Sequence, residues 1–201
     1  MLEDIKKIIS YFDAGKYREA ETYIWEIYQK YPNNFNIEKL LAFSLVKQNK
    51  HNGAINSYVK ALAFKENDYE CLLNLGYIYL HQSDFKKSEM SLLKAYENKK
   101  DDIGLLKNLG TLYFKLKLYT KSVSFFKDAF KISNRDSGLV EGYFKSLIAL
   151  SEKKQAINLI ENFLNKSFSP NIFFLMCRVS PARIEIRKIN EAKKKLDTKL
   201  T

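Results

Sequence analysis

Leu72-Leu-Asn-Leu-Gly-Tyr-Ile-Tyr79 falls on Leu106-Lys-Asn-Leu-Gly-Thr-Leu-Tyr113 when the sequence is slid along itself by 34 residues. Working outward, the same shift needs no gap over five segments, 1–34, 35–68, 69–102, 103–136 and 137–170, so a residue number in the first segment is also a position within the repeat. Position 20 reads Ala20, Ala54, Ser88, Ser122, Ala156, and position 24 reads Ile24, Tyr58, Leu92, Phe126, Ile160. Position 11 reads Tyr11, Leu45, Tyr79, Tyr113, Leu147. Position 8 of the middle segments is small (Ala42, Gly76, Gly110), as is position 27 (Ala61, Ala95, Ala129), while position 17 is mostly aromatic (Tyr17, Phe85, Tyr119).

This phase predicts two antiparallel helices per segment. In the first, positions 4, 7, 8 and 11 share a face, as in Leu72, Leu75, Gly76 and Tyr79; in the second, positions 17, 20, 24 and 27 do, as in Phe85, Ser88, Leu92 and Ala95. Small residues let backbones approach, and large ones fill the gaps to the neighbouring pair, so each hairpin buries its second apolar face against the next. Asn34, Asp68, Asp102 and Asp136 at position 34 are placed as N-caps of the next first helix. Gly15, Asn49, Ser83, Lys117 and Ser151 at position 15 supply the short turn inside each pair.

The pattern resembles the tetratricopeptide repeat (TPR) family over residues 1–170, best in Leu75-Gly76, Leu109-Gly110, Gly15, Tyr17, Ala20 and Pro32. It departs at position 32, where Glu66, Lys100, Asn134 and Phe168 replace Pro, and in the end repeats, where Ile8, Phe144, Ile27 and Phe163 stand at small-residue positions. The resemblance implies an all-α fold, a right-handed α-solenoid of antiparallel helix pairs. Residues 171–201 are then expected to hold a partial sixth repeat, with Phe174 and Cys177 at positions 4 and 7, followed by a basic capping helix over Ala182–Leu200 beyond the Ser180-Pro181 break.

Seven Gly and three Pro in 201 residues leave too little turn chemistry for a many-stranded barrel or sandwich. The net charge is +11, and it rests on 29 Lys against five Arg, point charges and not the bidentate forks that read nucleic acid. The composition therefore argues against nucleic acid and leaves an acidic protein partner open. Cys71 and Cys177 are too far apart in sequence for a disulfide framework or a close-spaced metal site and read as small hydrophobes. No signal-peptide core or membrane span is legible, so a cytoplasmic protein is the expectation.

No phosphate loop, paired metal-binding His, nucleophile elbow or close Cys pair occurs, so no catalytic residue, metal or cofactor is assigned. His51 at position 17 reads as a packed or capping ring, and Asp101-Asp102 as cap residues.

In the family, positions 2, 5, 6, 9, 12 and 13 of the first helices line a concave groove. Carried over, position 9 gives Ile9, Phe43, Tyr77, Thr111 and Lys145, and position 12 gives Phe12, Val46, Leu80, Phe114 and Ile148. Lys39 and Lys107 come from position 5, Lys47, His81 and Lys115 from position 13, and Asn74 and Asn108 from position 6. An apolar floor beside lysines suits a peptide with apolar anchors and acidic flanks; alternatively, the same residues pad the packing between first helices. The family's chaperone-tail clamp would fall on Lys39, Phe43, Asn74, Gly104 and Asn108, of which only Lys39 and Asn74 fit. The function implied is a non-catalytic scaffold or adaptor for protein–protein interaction. The alternative is a substrate-recruiting module of a glycosyltransferase- or sulfotransferase-type enzyme whose catalytic part lies elsewhere, with Ser180–Ile184 as the junction.

Overall fold

A computed structural model describes residues 1–179. The expected basic capping helix and the Ser180–Ile184 junction lie outside the described residues. Those described fold as an all-α solenoid in two compact units, one over Met1–Lys99 and one from Lys100 onward.

The first unit holds α1 (Leu2–Asp13), α2 (Tyr17–Tyr28), α3 (Phe35–Lys47), α4 (His51–Phe64), α5 (Tyr69–His81) and α6 (Phe85–Asn98). Successive helices pack on one another, most extensively α3 on α4 and α5 on α6. The turns inside the pairs share one geometry. Gly15, Asn49 and Ser83 take φ of 69, 59 and 61°, the left-handed region. In each turn the left-handed residue and its successor bond back to the end of the first helix, as Gly15 N–H does to Phe12 O at 3.0 Å and Lys16 N–H to Tyr11 O at 2.8 Å. This is the Schellman termination, which needs a left-handed residue just past the helix end.

The second unit holds α7 (Ile103–Lys115), α8 (Tyr119–Ile132), α9 (Ser137–Ala149), α10 (Lys153–Leu164) and α11 (Pro170–Val179). Its turns repeat the termination at Lys117 (φ 61°) and Ser151 (φ 64°), residues with no natural ease in that region.

Helix starts follow position 34. Asn34 Oδ1 accepts from the N–H of Asn36 at 2.9 Å and of Ile37 at 3.3 Å, while Asp68, Asp102 and Asp136 accept from Cys71, Leu105 and Leu139 at 2.9–3.0 Å. Caps of this kind contribute ~1 kcal/mol each.

Positions 20 and 24 are buried in all five pairs. Size is matched across helices at the glycines: a Cβ on Gly76 would stand 2.4 Å from Leu92 Cδ2, and Cβ atoms on Gly110 and Gly142 would stand 2.9 and 2.5 Å from the Phe126 ring. Phe126 therefore occupies a slot with a glycine of α7 on one side and a glycine of α9 on the other. Positions 3 (Ile37, Cys71, Leu105, Leu139) and 10 (Ser44, Ile78, Leu112, Ser146) are buried too, which widens the inward face beyond the four expected positions.

α11 departs from the expected register. Ile172 and Met176 turn inward, while Phe174 is 66% exposed and Cys177 half-buried. Pro170 stands where α3, α5, α7 and α9 have a capping Asn or Asp. It enters the first turn, where its missing N–H is no loss, and the helix begins one residue early.

Candidate functional site

In the first unit a cleft of about 410 Å³ opens between first helices. α1 supplies Ile5 and Phe12, α3 supplies Asn36, Lys39, Leu40 and Phe43, α5 supplies Glu70 and Asn74, and Tyr58 reaches in from α4. All but Tyr58 stand at positions 2, 5, 6, 9 and 12. The floor is aromatic: the rings of Phe12 and Phe43 lie 4.9 Å apart, Tyr17 meets Phe43 at 6.4 Å, and the ammonium of Lys47 sits 5.1 Å over the Phe43 ring. Asn74 donates one amide hydrogen to the Glu70 carbonyl at 2.8 Å, and its amide oxygen makes no hydrogen bond among the described residues. Tyr77 is 39% exposed and packs against the ring of His81, also exposed, at 4.3 Å.

Tyr58 is the one position-24 residue with a polar tip. Its side chain is 1% exposed and its hydroxyl is buried with no partner among the described residues. Burial first, and then the neighbouring Cys71, Glu70 and Asp68, push the phenol above its usual range. The Cys71 thiol is likewise pushed up, by burial and by its bond with Asp68, which makes it an inert core group.

The lysines expected to face a partner are largely engaged within the chain. Lys39 lies 3.3 Å from Asp68 and 2.5 Å from Glu70. Burial works against its charge, yet these two carboxylates outweigh it and raise the ammonium above its ordinary value. Lys107 bonds Asp136 at 2.8 Å and Lys145 bonds Glu141 at 2.5 Å. Lys39 and Lys107 do the same thing: a position-5 lysine reaches the capping aspartate of the next first helix. Burial pushes the Asp68 and Asp136 carboxyls up, but backbone N–H donors and these lysines prevail and hold both below their ordinary value. Lys47 and Lys115 make no ion pair among the described residues.

In the second unit Asn108 is half-buried, Thr111 donates to the Lys107 carbonyl at 2.8 Å, and Phe114 packs on Tyr119 at 5.6 Å. The position-12 stripe is less open than the sequence suggests: Leu80 is 8% exposed, and Val46, Phe114 and Ile148 are half-buried. His51 starts α4 half-buried, with Nδ1 buried and without a partner among the described residues. No group of three or more His, Cys, Asp or Glu suited to a metal ion occurs among the described residues, nor any helix long and apolar enough to cross a membrane.

The geometry agrees with what known proteins resemble this one. A "TPR repeat" family model matches residues 44–83, and a "Tetratricopeptide repeat" model matches 69–102 and 106–136. No curated protein sequence matches the chain. Among solved structures, PilF of Pseudomonas aeruginosa is similar at a TM-score of 0.80 and 16% identity, covering 98% of this chain and 90% of that one. MamA of Desulfovibrio magneticus RS-1 is similar at 0.75 and 14%, covering 81% and 92%. A chain of the APC/C hetero-tetramer Cut9–Hcn1 is similar at 0.72 and 17%, covering 95% of this chain and 39% of that one. At these identities the likeness is one of fold. With the 34-residue phase, the left-handed turns, the capped first helices and both family models in agreement, the chain is a tetratricopeptide repeat protein, of the class of modules through which proteins bind one another.

Proposed function

We propose that the chain is a non-catalytic adaptor that binds a peptide segment of another protein in the cleft between α1, α3 and α5. Residues 1–170 act as five repeats in this reading, and 171–179 begin a sixth. The observation that carries it is the chemistry of the cleft. Ile5, Phe12, Leu40 and Phe43 offer an apolar seat, and Asn36 and Asn74 stand at its edge with amides able to pair with a peptide backbone. Tyr77 offers a further exposed ring on α5. Because Lys39 is already paired, the cleft selects for an apolar anchor more than for acidic flanks; Lys47 supplies a cation that makes no ion pair among the described residues.

The test is affinity capture from source-cell lysate with nuclease present, using the full chain and its Asn74→Ala/Tyr77→Ala variant. Both residues are surface-accessible, so the helical circular dichroism signal should be nearly unchanged. A discrete protein held by the wild type and lost by the variant supports the reading. Identical proteins on both baits, or nucleic acid alone when nuclease is left out, would sink it.

A further inference from the structure

The second unit carries a separate groove of about 330 Å³ on the side of its second helices, between α8 and α10 with α9 as its base. Its floor is apolar. Phe130 and Tyr143 meet edge to face at 6.1 Å, and Leu159 closes the far side; Tyr143 and Leu159 are 8 and 6% exposed. One wall is the exposed edge of α8, with Lys127 and Lys131 one turn apart. Lys131 is paired with Asp128 at 2.7 Å, and Lys127 makes no ion pair among the described residues. The other wall is α10, where Asn158 and Asn162, also one turn apart, are exposed and make no hydrogen bond among the described residues.

The corresponding place in the first unit, between α2, α3 and α4, is occupied from within. Tyr28 at position 28 donates its hydroxyl to Glu38 at position 4, and Lys60 at position 26 reaches the same carboxylate at 3.7 Å. Glu38 is 1% exposed. In the second unit these three positions are Phe130, Val140 and Asn162, so the plug's hydroxyl, carboxylate and ammonium are all gone and the groove is left open.

We propose that this groove is a second interaction surface, whose occupant is an extended segment of another protein bearing one apolar or aromatic anchor with a carboxylate beside it. The anchor sits on Phe130 and Tyr143, where ring contacts favour it. Lys127 takes the carboxylate, and the amides of Asn158 and Asn162 pair with the segment's backbone, which they satisfy without reading its sequence. Charge selects the partner: the wall offers a cation not ion-paired among the described residues, and the chain as a whole carries +11.

The experiment is a titration of the ¹⁵N-labelled full chain with three capped pentapeptides: Gly-Asp-Phe-Asp-Gly, its charge-reversed form Gly-Lys-Phe-Lys-Gly, and Gly-Asp-Ala-Asp-Gly. At about 1 mM peptide, the first should shift the amide signals of α8 around Lys127–Lys131 and of α10 around Asn158–Asn162, and the other two should shift them about tenfold less. Lys127→Glu, an exposed change that leaves the core intact, should weaken the first peptide about tenfold. Equal shifts from all three peptides, shifts confined to residues elsewhere, or shifts untouched by Lys127→Glu would each overturn the proposal. So would concentration-dependent self-association in sedimentation velocity abolished by Asn162→Arg, which would assign the groove to a second copy of the chain.

Discussion

The outer gap bounded by α2, α3 and α4 and the one bounded by α8, α9 and α10 are built from the same repeat positions with opposite chemistry. The first is closed by a buried carboxylate held by a tyrosine and a lysine, and the second is lined by rings and left open. A repeat scaffold fixes where side chains stand and leaves free what they do there. The backbone needs only the small residues, the caps and the left-handed turns, so the remaining positions can diverge between neighbouring repeats without disturbing the stack. The two units differ in the same way at position 24. Tyr58 brings into the first unit's core a hydroxyl with no partner among the described residues, while Phe126 fills a glycine-walled slot in the second with no polar atom to satisfy.

The largest effect expected from this comparison is in the second unit. Phe126→Ala empties a slot that Gly110 and Gly142 cannot fill, and should cost ~3–5 kcal/mol in chemical denaturation. Tyr58→Phe in the first unit removes only the unpartnered hydroxyl and should be neutral or slightly stabilising. Similar losses from both changes would mean that the two cores are not packed by different rules. A smaller effect probes the plug. Tyr28→Phe strips Glu38 of its hydroxyl donor and should cost ~1–3 kcal/mol, whereas Tyr28→Phe combined with Glu38→Val, which copies the second unit's residues, should recover most of it. A double-mutant cycle reads this directly, and purely additive costs would break the comparison. The smallest effect is at the turns. The first unit places Gly15 and Asn49 in the left-handed region, and the second places Lys117 there, so Lys117→Gly should raise stability by ~0.5–1 kcal/mol. A loss on that change would mean that the lysine side chain contributes more than its backbone costs.

Much of the fold was legible because a repeat prints the same instruction several times. Position 20 is small and position 24 large in every pair, and both are buried in every pair; position 34 carries an acceptor and caps four first helices. Position 3 was equally legible in Ile37, Cys71, Leu105 and Leu139, all buried, but it lies beside the family's signature positions and attracts notice only when the columns are read for themselves. The pairing of Lys39 and Lys107 was not legible, because it depends on position 5 of one repeat lying close to the cap of the next, a distance no spacing along the chain encodes. The outer groove was hidden for the reverse reason. Phe130, Val140 and Asn162 are unremarked in sequence, and they acquire meaning only when set against Tyr28, Glu38 and Lys60 in the same places.

Lys39 belongs to two structures at once, the wall of the cleft and the ionic brace on the first turn of α5. A partner that offers Lys39 a carboxylate must draw it from Asp68 and Glu70, so binding and the firmness of the following hairpin share one free energy. Linkage makes that exchange reciprocal: whatever steadies the start of α5 disfavours an acidic guest, and an acidic guest loosens the start of α5. In the proposed peptide-binding role this gives the cleft a built-in discrimination, in which a neutral apolar segment would bind without disturbing the array and an acidic one only by slackening it.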